Sequence, residues 1–235
     1  MENIKNKTVA DIVTENINTA HIFKKYGIDF CCGGGVSIEK ACEKKNVDYD
    51  TLFSELQSVD APKESYNYDK WALDFLVDHI INIHHTYVKE AIPLIYQYVD
   101  RVAKVHGHHY KQVVEIQKLF YQVADELELH MRKEEQVLFP YIKELVDTIK
   151  SGEPVSPSPF GTIDNPIRMM MMEHDVAGDI MKKINELAEN YNPPAEACNT
   201  FRALYAKLDE FEQDLHHHIH LENNILFPKA AELEA

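Results

Sequence analysis

His130-Met131-Arg132-Lys133-Glu134, leading into Val137-Leu138-Phe139-Pro140, returns later as His218-Ile219-His220-Leu221-Glu222, leading into Ile225-Leu226-Phe227-Pro228. In each copy a glutamate follows a histidine by four positions, and a proline follows that histidine by ten. Residues i and i+4 of an α-helix stack on one face. An imidazole and a carboxylate placed so can grip one metal ion, or two ions if the carboxylate bridges. One such pair among 13 histidines would carry little weight. Two in register, with a shared Leu-Phe-Pro tail, decide how the rest of the chain is read.

Outward from these motifs the chain reads as helix. Helix one is expected from about Asp69 to His106, with a kink at Pro93. Helix two should run from His109 to Lys150, interrupted near Pro140. Asn165 reads as a cap with Pro166 at the first helical position, so helix three spans Pro166 to Tyr191. Pro193-Pro194 separates it from helix four, Ala195 to Phe227. Short links between helices one and two, and three and four, predict an all-α, up-down-up-down four-helix bundle.

Antiparallel hairpins give the motifs a geometry. His84-His85 precedes the first turn by about as much as His130 follows it, and His174 stands in the same relation to His218. Four histidines and two glutamates therefore meet at mid-bundle: His84 or His85, then His130, Glu134, His174, His218 and Glu222. Apolar neighbours at helical spacing set these residues inward: Val123, Leu127 and Leu138 around the first motif, Phe211, Leu215 and Ile225 around the second, and Ile167, Met170, Met171 and Ile180 around His174. On periodicity alone His84 and His85 are equal. The run Met169 to Met172 reads as part of a core stripe, since consecutive helix positions diverge. The His106-His108-His109 and His216-His217-His220 clusters are expected to be exposed or in loops.

This donor set excludes an all-oxygen calcium or magnesium site and a thiolate zinc site. Six ligands with two carboxylates able to bridge suit two borderline ions, iron ahead of manganese. Ferritin-like bundles use Glu-x-x-His at i, i+3 instead.

Residues 1–60 read as a small helical domain. Thr8 caps its first helix, and a second runs from Thr19 to Tyr26 and stops at Gly27. Ser37 caps the third, and Asp48 or Asp50 starts the fourth. Between the second and third lies a glycine-rich loop bearing Cys31-Cys32, two thiols expected to be exposed and able to bind iron or nitric oxide, or to be oxidised. So small a core needs support from elsewhere. Residues 61–68 follow as a linker, and 69–235 as the bundle.

Composition narrows the classes. A net charge of −15 argues against nucleic acid and anionic membranes. No apolar run is long enough to span a bilayer, and the first residues lack a signal-peptide core, so a cytoplasmic protein is expected. The four cysteines form neither a disulfide framework nor a Cys-x-x-Cys site; Cys42 and Cys198 read as small buried side chains.

With these residues assembled, the chain resembles a hemerythrin-like bundle. The leading Cys31-Cys32-Gly33-Gly34 makes it similar to the bacterial di-iron proteins that repair iron-sulfur clusters, the repair-of-iron-centres family. Matching blocks are Asp78-His79-Ile80-Ile81, His130 to Pro140, Glu173-His174-Asp175, Pro193 to Cys198 and Leu221 to Pro228. The resemblance implies His85 as the helix-one ligand, beside His130, Glu134, His174, His218 and Glu222. It implies an oxo- and carboxylate-bridged pair of iron ions. Gly178 stands where oxygen-carrying hemerythrins have a further histidine, leaving room for an exogenous molecule. Glu126 and Glu173 match acidic residues near the family's metal site, where they would orient ligands or relay protons. The implied function is repair of clusters damaged by nitrosative or oxidative stress through iron supply, with Cys31 and Cys32 handling transfer. Nitric oxide reduction, or binding and sensing of O2 or NO, is the alternative. Damaged iron-sulfur proteins, NO, O2 and peroxide are the implied partners, and a homodimer is allowed.

Overall fold

Apolar residues recur at helical spacing from Leu73 onward, and in the computed structural model, which describes residues 4–59, 67–154 and 158–234, that stretch forms four helical rods. Rod one comprises α5 (Leu73–His79), a π-helical turn (Ile80–His85) and α6 (Thr86–His106). Rod two comprises α7 (Lys111–Lys133), a second π turn (Glu134–Leu138) and α8 (Phe139–Ser151). Rod three is α9 (Asp164–Leu187). Rod four comprises α10 (Asn199–Leu221), a third π turn (Glu222–Leu226) and α11 (Phe227–Glu234). Rod two packs along rods one and three, and rod four packs along rod one. No named strand occurs among the described residues, only an isolated bridge between Thr8 and Ser37.

Several boundaries differ from expectation. Pro140 and Pro228 do not interrupt their rods. Proline has no N–H to give the carbonyl four residues back, and a widened turn just ahead of each absorbs the loss. There Phe139 N–H bonds to the Glu134 carbonyl, and Phe227 N–H to that of Glu222. Pro93 lies within α6, and the irregular turn of rod one comes earlier, at Ile80–His85. Rod one starts at Leu73 rather than Asp69, because Tyr68–Lys70 forms a 3-10 turn with Tyr68 buried. Asn165 is no cap: α9 already begins at Asp164, and the Asn165 amide donates to the Phe160 carbonyl. That helix ends at Leu187, since Glu189, Asn190 and Tyr191 all take positive φ. Rod four starts at Asn199, four residues late, and continues beyond Phe227 to Glu234.

The core falls into two apolar clusters. One gathers Val88, Phe120, Leu127, Ile180, Leu208 and Phe211. The other gathers Leu76, Ile80, Phe139, Ile142, Ile167 and Phe227. In every rod the break between them falls where the histidines and glutamates stand, so the polar residues form a layer between two greasy ends.

The N-terminal residues form α1 (Val9–Glu15), α2 (Ala20–Lys25), α3 (Ile38–Lys45) and α4 (Tyr49–Ser58). Thr8 closes a capping box with Asp11, Ser37 caps α3, and Asp48, not Asp50, caps α4. Gly27 stops α2 at φ 63°. The support this small unit needs comes from rod four. Lys24 pairs with Glu212 at 2.7 Å, and the Phe30 ring meets His216 and His220 edge-on. Against expectation His220 is therefore buried, its ring nitrogens 3.2 Å from Thr14 Oγ1 and 3.4 Å from the Phe30 carbonyl. Most of the expected linker at 61–68 lies outside the described residues. Among the described residues no helix is long and apolar enough to cross a membrane.

Phe120 is fully buried, its ring edge-on to Tyr96 and Phe211. Phe120→Ala should cost the metal-free protein about 3–5 kcal/mol of unfolding free energy, read from urea denaturation.

Candidate metal centre

The π turns set the register of the polar layer. Each of the two glutamates opens such a turn, at the point where its rod is widened. The result is two groups of ligand atoms, each drawn together within 4.8 Å. His85, Glu134, His218 and Glu222 form one, and His130, Glu134, His174 and Glu222 the other. Both glutamates belong to both groups, and all six side chains are buried.

Distances across the layer are those of atoms facing a common centre. His85 Nε2 lies 3.4 Å from Glu134 Oε2, and His130 Nε2 lies 3.3 Å from the same oxygen. His174 Nε2 is 3.2 Å from Glu222 Oε2, and His218 Nε2 is 3.0 Å from Glu222 Oε1. Ligands about 2.1 Å from one ion stand about 3 Å apart along an edge. Yet His85 Nε2, both Glu134 oxygens and Glu222 Oε2 have no hydrogen-bond partner. Orphaned buried atoms of this kind call for an ion or water. Four imidazole nitrogens with two shared carboxylates fit a pair of borderline transition-metal ions.

Charge explains why the layer is stable before metal arrives. Burial and mutual repulsion push the Glu134 carboxyl upward, but His130 and His85 outweigh them and hold it below its ordinary value. Glu222 is held well below by His218 and His174, again against burial. Burial alone would lower His130, but Glu134 and Glu173 raise it to about 10. At neutral pH the metal-free His130 is thus an imidazolium standing in for the cation.

Behind these atoms stands a supporting ring. His85 Nδ1 lies 2.8 Å from Glu135 Oε1, which Lys89 also holds. His174 Nδ1 lies 2.9 Å from Asn223 Oδ1. His130 Nδ1 lies 2.9 Å from Glu173 Oε2, and Lys133 pairs with the other oxygen. The His130 hydrogen bond, the Lys133 hydrogen bond and the charges of both hold Glu173 down to about 2, against burial. Such contacts fix the tautomer and aim of a ligating imidazole. Glu135 and Asn223 were missed in the sequence, although a signal existed. Each follows its motif glutamate by one residue and steadies the histidine of the preceding rod.

The structure brings His85, not His84, to the glutamates. His84 is also buried, with Nδ1 3.0 Å from Asp214 Oδ1. Glu126 joins neither group and accepts from Gln122 on its own helix. Of the methionine run only Met170 is buried; Met171, assigned to the stripe around His174, is exposed with Met169 and Met172.

The Cys31-Cys32 loop departs from expectation in one half. Cys31 is buried and Cys32 half-buried, their sulfurs 4.0 Å apart. Asp29 gathers the loop by accepting from the N–H groups of Cys31, Cys32 and Gly33. Gly34 has no alternative, since a Cβ there would lie 2.4 Å from the Phe30 carbonyl. The Cys32 hydrogen bond, burial and the Asp29 charge push the Cys31 thiol well up, so it stays protonated. Both cysteines line a cavity of about 590 Å³ with Gly178 and Asp179 of α9. Cys42 is buried as expected, whereas Cys198 is exposed, 3.2 Å from His106 Nε2.

Known proteins resemble the whole chain. The family described as the hemerythrin HHE cation binding domain matches residues 76–230, and ScdA_N, a domain of unknown function, matches residues 5–60. The chain is 36% identical to the iron-sulfur cluster repair protein ScdA of Staphylococcus haemolyticus, across 94% of this chain and 96% of that one. It is 37% identical to a probable iron-sulfur cluster repair protein of Haemophilus influenzae, across 88% and 89%. It is 34% identical to the iron-sulfur cluster repair protein YtfE of Yersinia pseudotuberculosis, across 96% and 97%.

A ligating imidazole must be neutral, so metal loading displaces the His130 proton. Loading in weak buffer at pH 7.5 should acidify the solution, and this release should fade as pH rises through about 10; a pH indicator dye measures it. Asn223→Ala frees the His174 ring and should weaken metal affinity by about 10–100-fold in a competitive chelator titration.

Proposed function

The chain belongs to the iron-sulfur cluster repair family built on a hemerythrin HHE cation binding domain, and from that premise we propose that it repairs damaged clusters with two iron ions held in the polar layer. The observation that carries this reading is the sharing of Glu134 and Glu222 by both ligand groups. One ion would use only one group; a carboxylate common to two groups could serve two ions at once. Bound there, the pair would supply a redox centre and a store of exchangeable iron.

The protein's own residues hold, orient and shield that pair. His85 and His218 serve one position, His130 and His174 the other. Glu135, Glu173 and Asn223 fix three of the four rings from behind. The two apolar clusters seal the layer along the bundle axis. Cys31 and Cys32, on the cavity they share with α9, would receive iron or pass it to a damaged iron-sulfur protein. Asp29 keeps that loop in shape.

A second reading rests on Gly178. A side chain built there would meet nothing within 4 Å. One turn past His174, where a further imidazole would close the centre, rod three carries no side chain at all. That space, on the cavity Gly178 shares with Cys31 and Cys32, would leave room for a diatomic molecule such as nitric oxide to approach the centre.

Anaerobically purified protein should carry two iron ions per chain, with a Mössbauer spectrum of a coupled pair; a lone zinc would refute the reading. Glu222→Ala should strip nearly all the metal, because both positions depend on that side chain. Replacing Cys31 and Cys32 with alanine should preserve iron content while abolishing reactivation of a damaged iron-sulfur dehydratase. Unimpaired reactivation would take the loop out of the mechanism.

A further inference from the structure

The two halves of the bundle repeat one another, and they diverge at the residue before the histidine of the first rod in each half. In one half the residue before His174 is Glu173, which accepts from His130 Nδ1 and is neutralised by Lys133. In the other half the residue before His85 is His84. It offers the ligand opposite, His218, no such bond, and His218 Nδ1 has no partner. His84 instead lies flat against His218, ring centroids 5.5 Å apart at 11°. Its Nδ1 reaches Asp214, which stands four residues before His218 just as Glu126 stands before His130. The His217 ring is 4.9 Å from that of His84.

Three more atoms in this cluster are buried without a partner: His84 Nε2, Asp214 Oδ2 and His217 Nε2. Buried polar atoms are rarely orphaned, and these all belong to side chains that ligate metals. The cluster also reaches solvent. Asp214 and His217 line an open cleft of about 1120 Å³, with His21, Lys24, Lys25, Asp209, Glu210 and His216 around it; Lys24 is paired with Asp209 and Glu212, and Lys25 with Glu55. A continuous run of donors therefore leads from the cleft through Asp214 and His217 to His84, and from His84 to His218. In the opposite half the Glu173 carboxylate is already taken up by Lys133 and by His130 Nδ1.

We propose that Asp214, His217 and His84 form a hand-over path along which a divalent transition-metal cation passes between this cleft and the His85–His218 side of the centre. The proposal rests on the metal-centre reading above and adds its route of access. Among the described residues, only the two groups of the centre gather three or more ligand atoms within 4.8 Å. Along the path His84 Nδ1 and Asp214 Oδ1 come within 3.0 Å of each other, but no third donor gathers on them. Such sparse ligation suits passage, which needs binding strong enough to attract an ion and weak enough to release it. A carboxylate followed by imidazoles is a donor series that a borderline ion accepts and calcium or magnesium does not.

The test compares metal-free wild type, Asp214→Asn and His217→Gln, all as full-length chains. Fe(II) uptake is followed anaerobically by stopped-flow absorbance, and release by transfer to a chelator. A residue on a path changes both rates by the same factor and leaves the equilibrium alone. Each variant should therefore take up and release iron about tenfold more slowly, with the dissociation constant and final stoichiometry of wild type. Wild-type rates in both variants would overturn the path and leave the centre standing. A changed stoichiometry or dissociation constant with unchanged uptake would also overturn it, by assigning these residues to holding the centre. Wild type that takes up no metal would overturn the path and the centre together.

Discussion

Two glutamates, Glu134 and Glu222, sit fully buried in one layer at the middle of a helical bundle. Two carboxylates in that setting repel each other and lose their hydration, a cost no fold tolerates without compensation. Here four imidazoles converge on them, and the rest of the architecture serves that convergence. Without metal the imidazoles compensate by holding protons, as the raised His130 and His218 show. With metal the same nitrogens turn their lone pairs inward. The layer is therefore a cation site in either state, and only the nature of the cation changes.

This constraint explains the irregular backbone. A regular helix with proline at position 140 or 228 would leave a carbonyl unpaired and drive the proline ring into the preceding turn. The chain inserts a π turn instead, and the residue that opens it is the glutamate of the polar layer. Irregular hydrogen bonding thus falls where side chains of the polar layer are re-aimed, while the apolar clusters on either side keep ordinary helical packing. Rod one has its own π turn at Ile80–His85, ending on the histidine of that layer.

The N-terminal unit is bound to the same region rather than merely tethered to it. Asn224, inside the π turn that Glu222 opens, donates to the carbonyl of Cys31 at 3.0 Å. His220, two residues past His218, is packed beneath Phe30. The thiol loop is thus anchored to the turn that Glu222 opens, so the loop and the polar layer share one support. The repeat of the two halves is imperfect in a useful way: Glu173 with Lys133 closes one side, and His84 with Asp214 opens the other.

The repeated His-x-x-x-Glu with its Leu-Phe-Pro tail was enough to determine an all-α bundle and to nominate the residues of its polar layer. Helical periodicity and reflection through a short turn are properties of the chain alone. The helix limits at Asn165 and Ala195 differ from those the sequence predicts, because a local signal such as proline states that a bond is missing without stating how the backbone absorbs it. His84 and His85 could not be separated by pattern, since a π turn shifts the angular register that periodicity assumes; only the folded rod sets His85 on the glutamates. The sequence alone predicts His220 and Cys31 to be exposed, because nothing in their own neighbourhood reveals that the N-terminal helices close over rod four. Burial of that kind arises from contacts between segments nearly two hundred residues apart in sequence, and no local pattern encodes it.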